Sequence, residues 1–330
     1  MKKRVLTGIK PSGTPHIGNY FSAIKPSLKN QDNESFFFIA DYHALTTIKD
    51  NKKLNQYTLS VASTWLALGL CPEKVFFYKQ SDIPELFEAF WILLTLTSKG
   101  LLNRSHAYKA LVSNNKLEKR PDDEGVNMGL FNYPVLMAID ILLFSGKEIP
   151  VGEDQKQHIE IARDLAEKFN QEYGTIFELP EAKIITQKDI PGIDGRKMSK
   201  SYNNIIPIFG DPQMIKKSIM QFKTDSKAID EKKDADNCNL FYLYSLFFDD
   251  EKLLHKEKEN YSNGGVGYGD LKKKLNLLIQ QHFKKESERY NHYISNPKIV
   301  HEILREGARK VRPFAKEKLK NIKKAIGIFE

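Results

Sequence analysis

Cysteine is nearly absent. Cys71 and Cys238 are the only two in 330 residues, and they are far apart with no CxxC spacing. That excludes a disulfide framework and a cysteine-built metal site. Long hydrophobic runs are also missing: no window approaches the roughly 18 to 20 consecutive apolar residues that a membrane helix needs. The start, Met-Lys-Lys-Arg-Val, is charged like the first part of a signal peptide. Gly8, Lys10 and Pro11 interrupt the apolar stretch that would have to follow it. The expectation is a cytoplasmic protein with no membrane contact. No internal repeat is visible.

What is present supports a large core. Hydrophobic residues make up 41% of the chain, and a chain of this length is expected to form two domains. Lys and Arg outnumber Asp and Glu by 51 to 42. Such an excess points toward a polyanionic partner, although a lysine-rich proteome would give the same number.

The first two hundred residues alternate strand and helix patterns. Ser35-Phe-Phe-Phe-Ile-Ala40 reads as a strand buried on both faces. A helical pattern runs through Leu54, Val61, Trp65 and Leu68 and stops at Gly69. Val75 to Tyr78 is a second short strand, and a helix starting near Ile83-Pro-Glu carries Phe87, Phe90, Trp91 and Leu94. This alternation predicts a parallel sheet covered on both sides, with ligands at the carboxyl ends of its strands. Residues 113–127 are polar and are expected to form a mobile loop. From about Pro207 the strand signals fade and lysine-rich amphipathic segments follow, such as Leu271 to Phe283 and Val300 to Ile326. This half is expected to be all-helical, with Ser262 to Gly269 as a flexible turn.

Several segments carry chemistry. Thr7 to Asn19 follows a short apolar strand (Val5, Leu6) and opens a helix over Ile17 to Ile24. A helix start offers free N–H groups and a partial positive charge, so it attracts phosphate. Gly13 and Gly18 allow close approach of backbone to ligand, and His16 can donate a hydrogen bond to phosphate oxygens. The ordinary alternative is a strand-turn-helix with a capping histidine. Arg196-Lys-Met-Ser-Lys-Ser201 follows Ile190-Pro-Gly-Ile-Asp-Gly195. Two lysines on a glycine-hinged loop can close over a pyrophosphate leaving group; the alternative is a solvated basic turn. In Val151-Gly-Glu-Asp-Gln155, a carboxylate at a strand end can hold ribose hydroxyls, or Asp154 can serve as an N-cap. In Gly129 to Phe144, Pro134 suits a first helical turn, and Tyr133, Met137 and Asp140 share one helical face. Asp140 sits among apolar residues, so it requires a basic partner, a backbone donor or a ligand N–H. His43, after the Phe36 to Ala40 strand, could reach the same cleft or be structural, and His106-Ala-Tyr-Lys109 is equally open.

Taken together and in this order, the first and second loops resemble the HIGH and KMSKS elements of class I aminoacyl-tRNA synthetases. Gly8 to Gly13, His16 to Tyr20, Tyr133 to Ala138, Gly152-Glu-Asp-Gln-Lys-Gln-His158 and Lys197 to Ser201 together resemble the bacterial tryptophanyl-tRNA synthetase family. The resemblance spans most of the chain and is tightest in the first two hundred residues. Asn19 stands where HIGH has its second histidine, a replacement this family and its tyrosyl relatives tolerate. Some relatives carry an iron-sulfur site of clustered cysteines, which this sequence lacks.

The resemblance implies an α/β fold: a Rossmann-type parallel-sheet catalytic domain over residues 1–206, including the dimer-interface region, and a helical tRNA anticodon-binding domain over 207–330. It implies a cytoplasmic homodimer that uses ATP and Mg²⁺ to activate L-tryptophan and load it onto tRNA(Trp). By the same resemblance, Lys10, Pro11, Ser12, Gly18, Asn19, Gly152, Glu153, Asp154, Ile190, Lys197, Met198, Ser199, Lys200 and Ser201 contact ATP. His16, Lys109, Lys197 and Lys200 assist catalysis. Asp140 takes the indole N–H, and Met137, Tyr133, His43 and Gln155 line the tryptophan pocket. No protein metal ligand is implied. The competing expectations are a tyrosyl-tRNA synthetase and a catalytically silent relative that only binds tRNA.

Overall fold

The computed structural model describes residues 4–29, 31–32, 34–184 and 188–328. Five strands, β1 (Val5–Ile9), β2 (Ser35–Ile39), β3 (Phe76–Lys79), β4 (Glu148–Val151) and β5 (Glu181–Ile184), form one sheet in the order β3-β2-β1-β4-β5. Every pairing is parallel, and β1 and β2 run in register from Val5 beside Ser35 to Ile9 beside Ile39. The chain winds outward from β1 to β3, then returns to the other side of β1 for β4 and β5. The reversal falls between β1 and β4. In an open parallel sheet the crevice beyond the strand ends at such a reversal is where ligands bind.

β2 shows why the sheet is covered on both faces. All five of its residues are buried. Successive side chains point to opposite faces of a strand, so Phe36 and Phe38 enter one core with Leu6 and Tyr78 while Phe37 and Ile39 enter the other with Trp65 and Phe77.

The helices follow in order. After β1 come α1 (Ile17–Asn19), a π-helical turn over Tyr20–Ile24 and α2 (Lys25–Leu28). The helix expected over Ile17 to Ile24 is therefore present but widened in its second half. Next are α3 (Asp41–Ala44) and α4 (Asn51–Ala67), which Asp50 caps through the N–H groups of Lys52 and Lys53. The chain turns away just beyond α4 at Gly69, whose φ of +106° needs glycine. Beyond β3 lie α5 (Glu85–Leu96), α6 (Lys99–Asn103), α7 (His106–Leu117) and α8 (Met128–Leu142), and α9 (Lys156–Tyr173) follows β4.

Of three local expectations, one holds and two are corrected. Helix α5 carries Phe87, Phe90, Trp91 and Leu94 as expected; its buried stripe is Leu86, Ala89 and Leu93, and Phe87 and Trp91 face outward, 38% and 66% exposed. Residues 113–117 belong to α7. From that helix the buried Asn115 amide donates to the carbonyls of Asp122 and Glu124, which gives the polar stretch after α7 a fixed anchor. Pro134 lies inside α8 and not in its first turn, and Asn127 caps that helix.

The chain from 207 onward holds α10 (Pro212–Met220), α11 (Asn239–Ser245), α12 (Glu251–Ser262), α13 (Tyr268–His282), α14 (Lys284–Ser295) and α15 (Pro297–Ala325). These helices share both cores with the sheet. Tyr20 stacks edge-on with Phe283, and its hydroxyl meets His282 Nε2 at 2.9 Å. Val300 and Leu304 of α15 join one core, whereas Ala308, Val311, Ala315, Leu319 and Ile322 join the other. Helix α15 thus lies along β3, the outermost strand on that side, where a bare edge would invite pairing with other chains. Glu85, buried at the start of α5, accepts from Arg312 of α15 at 2.7 and 3.1 Å.

The helix and strand meet at Gly307. A Cβ on Gly307 would stand 1.8 Å from the Phe77 carbonyl oxygen, a contact that no side-chain rotation relieves. Gly307→Ala is expected to lower unfolding stability by about 2 kcal/mol or more through overpacking. Equilibrium denaturation checks this; an unchanged midpoint would show that α15 is free to lift from β3.

Candidate active site

The loop after β1 folds around His16. Its Nδ1 accepts from the Asn19 N–H at 3.3 Å, and Asn19 Oδ1 accepts from the His16 N–H at 3.2 Å. Because a backbone N–H only donates, Nδ1 is unprotonated and the ring proton sits on Nε2. Burial, and next the charge of Lys200, hold the His16 pKa down to about 4. His16 is therefore a neutral N–H donor at physiological pH. In the same loop Pro11 and Gly18 are buried, Ser12 is exposed, and Lys10 Nζ donates to Thr46 Oγ1 at 2.9 Å.

The second loop is a hairpin from Ile190 to Met198. The Met198 N–H donates to the Ile190 carbonyl at 2.7 Å, and Pro191 bridges Lys197. Asn204 locks it. Its buried amide donates to Asp194 Oδ1 and to the Lys197 carbonyl, while its Oδ1 accepts from the Ser199 N–H at 2.8 Å. Hydrogen bonds from Asn204 first, and then from Arg196, hold the Asp194 carboxyl down at about 2. Ser199 Oγ in turn accepts from the Ser201 N–H.

The two loops touch. Lys200 Nζ donates to the Gly13 carbonyl at 2.8 Å, and the Gly18 N–H donates to Met198 Sδ at 3.3 Å. The Ile17 N–H reaches the Ile206 carbonyl, and the Ile208 N–H reaches the Pro15 carbonyl. Lys197 points elsewhere, exposed and paired with Asp189 at 3.0 Å. Burial lowers the Lys200 pKa to about 8.

On the other side of the cleft, Asp140 of α8 is 3% exposed. Its Oδ2 lies 2.9 Å from His43 Nε2, and Gln80 Nε2 donates to both of its oxygens at 2.8 and 2.9 Å. Burial pushes its carboxyl above the ordinary carboxylate range, against the opposing pull of His43 and Gln80. Tyr133 contacts His158 Nε2 through its hydroxyl at 3.0 Å and meets the His43 ring edge-on at 6.2 Å. Met137 is half-buried against the α8 side of the core. Thr46, which receives Lys10, itself donates to the His43 carbonyl at 2.8 Å. The loop after β1 and the Asp140 cluster are therefore joined through His43 and Thr46.

Gly152 precedes a single 3₁₀ turn over Glu153–Gln155 at the end of β4; Glu153 is exposed, and the Asp154 side chain lies outside the described residues. Gln157 binds the next segment, accepting from the His106 N–H and donating to the Arg104 carbonyl. Lys109 stands on the exposed side of α7, and Ile190 is buried at the base of the second loop. Sequence reasoning missed Gln80, His158 and Asn204. For Gln80 a signal existed: it follows β3 at the carboxyl end, where a parallel sheet places its ligands.

Two facing loops with basic and N–H donors at the sheet's reversal, beside a buried carboxylate, give this chain the layout of an α/β nucleotide-using enzyme. The model for tRNA synthetases class I (W and Y) matches residues 1–284, and the chain belongs to that family. Tryptophan--tRNA ligase of Campylobacter jejuni is 46% identical over 98% of this chain and 100% of its own length. That of Bordetella parapertussis is 45% identical over 99% of this chain and 74% of its own. The crystal structure of tryptophanyl-tRNA synthetase from Campylobacter jejuni complexed with ADP and tryptophan superposes with a TM-score of 0.89 at 46% identity, covering 98% of this chain and 99% of that one. Among the described residues no helix is long and apolar enough to cross a membrane.

The low Lys200 pKa has a measurable consequence. Lys200 is charged below about pH 8 and loses its proton above it. A kcat/KM profile reports the ionisations of the free enzyme. The value for ATP is expected to fall on the alkaline side with a midpoint near 8, and Lys200→Arg should remove that limb because arginine stays protonated. A wild-type limb retained in Lys200→Arg would assign the titration to another group.

Proposed function

We propose that this chain is a tryptophan--tRNA ligase, which activates L-tryptophan with ATP to the adenylate and transfers the amino acid to tRNA(Trp). The observation that carries this reading is the match, in sequence and in fold over nearly the whole chain, to a synthetase crystallised with ADP and tryptophan. The tryptophan carboxylate attacks the α-phosphate of ATP in line and pyrophosphate leaves. The terminal ribose of tRNA then takes the acyl group. No protein nucleophile is needed, so catalysis consists of positioning and of donors aimed at developing negative charge.

Lys200 supplies positive charge and His16 a neutral Nε2–H, both at the start of α1. Lys10, Pro11, Ser12, Gly18, Asn19, Ile190 and the Lys197 to Ser201 loop form the ATP side, with Gly152, Glu153 and Asp154 toward the ribose. Lys197, now on Asp189, and the exposed Lys109 reach the phosphates only if they move inward. Asp140, His43, Met137, Tyr133 and Gln155 form the tryptophan side. Mg²⁺ would arrive on the triphosphate: among the described residues no group of three or more His, Cys, Asp or Glu is gathered, and magnesium commonly binds through substrate phosphates. Bound there, it would offset phosphate charge.

The helical half from 207 would carry the tRNA anticodon, with Lys298, Lys316, Lys320 and Lys324 exposed along α15. Because that half shares both cores with the sheet, tRNA binding belongs to the intact chain. The outward Phe87 and Trp91 on α5 support a homodimer, since large exposed apolar side chains grouped on one helix face mark interaction surfaces. A cytoplasmic location completes the reading.

ATP–pyrophosphate exchange is the deciding assay. Exchange is expected with tryptophan and not with tyrosine; exchange with tyrosine would make the chain a tyrosyl enzyme, and none with either would make it a silent tRNA binder. A second expectation concerns Asp140. Sites built to bond a substrate N–H reject analogues lacking it by roughly 10⁴ to 10⁵, so Asp140→Ala should lower kcat/KM for tryptophan and narrow its lead over phenylalanine. The melting temperature is read alongside. A folded variant with an undiminished lead would leave Asp140 a purely structural carboxylate.

A further inference from the structure

Gln80 has no place in the chemistry described so far, yet it is among the most constrained polar side chains in the molecule. It is 0% exposed. It sits on the 3₁₀ turn Gln80–Asp82 directly after β3. Two reciprocal ties fix that turn to the start of α3. The Tyr42 N–H donates to Gln80 Oε1 at 3.2 Å, and the Ser81 N–H donates to Asp41 Oδ1 at 3.0 Å. The first tie decides which way the Gln80 amide faces. Its oxygen is taken by a backbone donor, so its nitrogen is the end that meets Asp140.

That nitrogen donates to both carboxylate oxygens, and His43 adds a contact to Oδ2. An ionised carboxylate offers about four acceptor positions. Among the described residues Oδ2 has two contacts and Oδ1 has one, so the open position is on Oδ1. A carboxylate held by a single partner pivots about that contact. Here the Gln80 nitrogen, nearly equidistant from both oxygens, fixes where the carboxylate sits, and His43 on Oδ2 stops it from turning about that axis.

We propose that Gln80 is a positioning residue for substrate selection: by holding both oxygens of Asp140, while His43 on Oδ2 stops the group from turning, it keeps the open position of Oδ1 toward the indole N–H of tryptophan. This rests on the reading that Asp140 recognises the indole. Gln80 itself does not touch the substrate. It acts on discrimination through Asp140 and leaves the phosphate side alone.

The test compares tryptophan with its benzothienyl analogue, in which sulfur replaces the indole N–H at nearly the same shape. Exchange kinetics are measured for the full-length wild type, Gln80→Met, Gln80→Asn and Asp140→Asn, with melting temperatures. A hydrogen bond to a charged group corresponds to about tenfold to a hundredfold. Gln80→Met is therefore expected to cut the tryptophan preference by about that factor, through a higher KM for tryptophan with the KM for ATP unchanged. Gln80→Asn keeps the amide but shortens the arm, and is expected to move the preference the same way.

A wild-type preference in folded Gln80→Met, with the preference lost in Asp140→Asn, overturns the role of Gln80 and leaves the Asp140 reading standing. A wild-type preference in Asp140→Asn itself defeats the underlying reading. If both Gln80 variants fail to fold, Gln80 is a structural core residue and the proposal is wrong.

Discussion

The site depends on one narrow seam, where the backbone around Ile206 and Ile208 runs beside Pro15 and Ile17. The first N–H groups of a helix have no partner within it. Here the Ile206 carbonyl takes the N–H of Ile17, Met198 sulfur takes that of Gly18, and His16 takes that of Asn19. The seam thus satisfies the start of α1 in large part with groups that lie 180 residues or more further along the chain. It also fixes where Lys200 can reach. Of the three acceptors the thioether is the weakest. A stronger acceptor arriving at the Gly18 N–H would replace a poor hydrogen bond with a better one, so this contact between the loops is readily exchanged.

The two buried polar centres use burial in opposite ways. At His16 it removes charge, giving a neutral donor that does not repel Lys200. At Asp140 burial works against the charge that an acceptor needs, and His43 and Gln80 restore part of it. Thr46 ties the loop after β1 to the Asp140 side, since it receives Lys10 and donates to the backbone of His43. Movement of Lys10 toward a phosphate would release one end of that chain.

Much of this was legible in the sequence because local pattern and tertiary role agreed. The apolar run at β2, the helix ending at Gly69 and the glycine-bearing loops each state their own geometry. Other features were not legible, because their cause lies far along the chain. Asn115 looks like one more polar residue until its amide is seen holding two carbonyls after α7. Gln80 reads as a strand terminus, and only the fold brings it against Asp140, 60 residues on. The apolar stripe of α15 was visible, but a stripe does not name its partner. That partner is the sheet, met at Gly307 and again by Arg312 on Glu85, 227 residues earlier.

That last contact bears on how the chain is made. The edge of β3 is finished by a helix that begins more than 200 residues further along the chain. Until α15 leaves the ribosome, the nascent sheet carries an open edge, and Phe36 and Phe76 lack the Phe314 ring that packs against them. Contacts of such sequence separation slow folding and leave intermediates prone to association. The growing chain therefore has reason to meet a chaperone during synthesis, and a product broken off before Pro297 would lack α15 and leave the β3 edge bare.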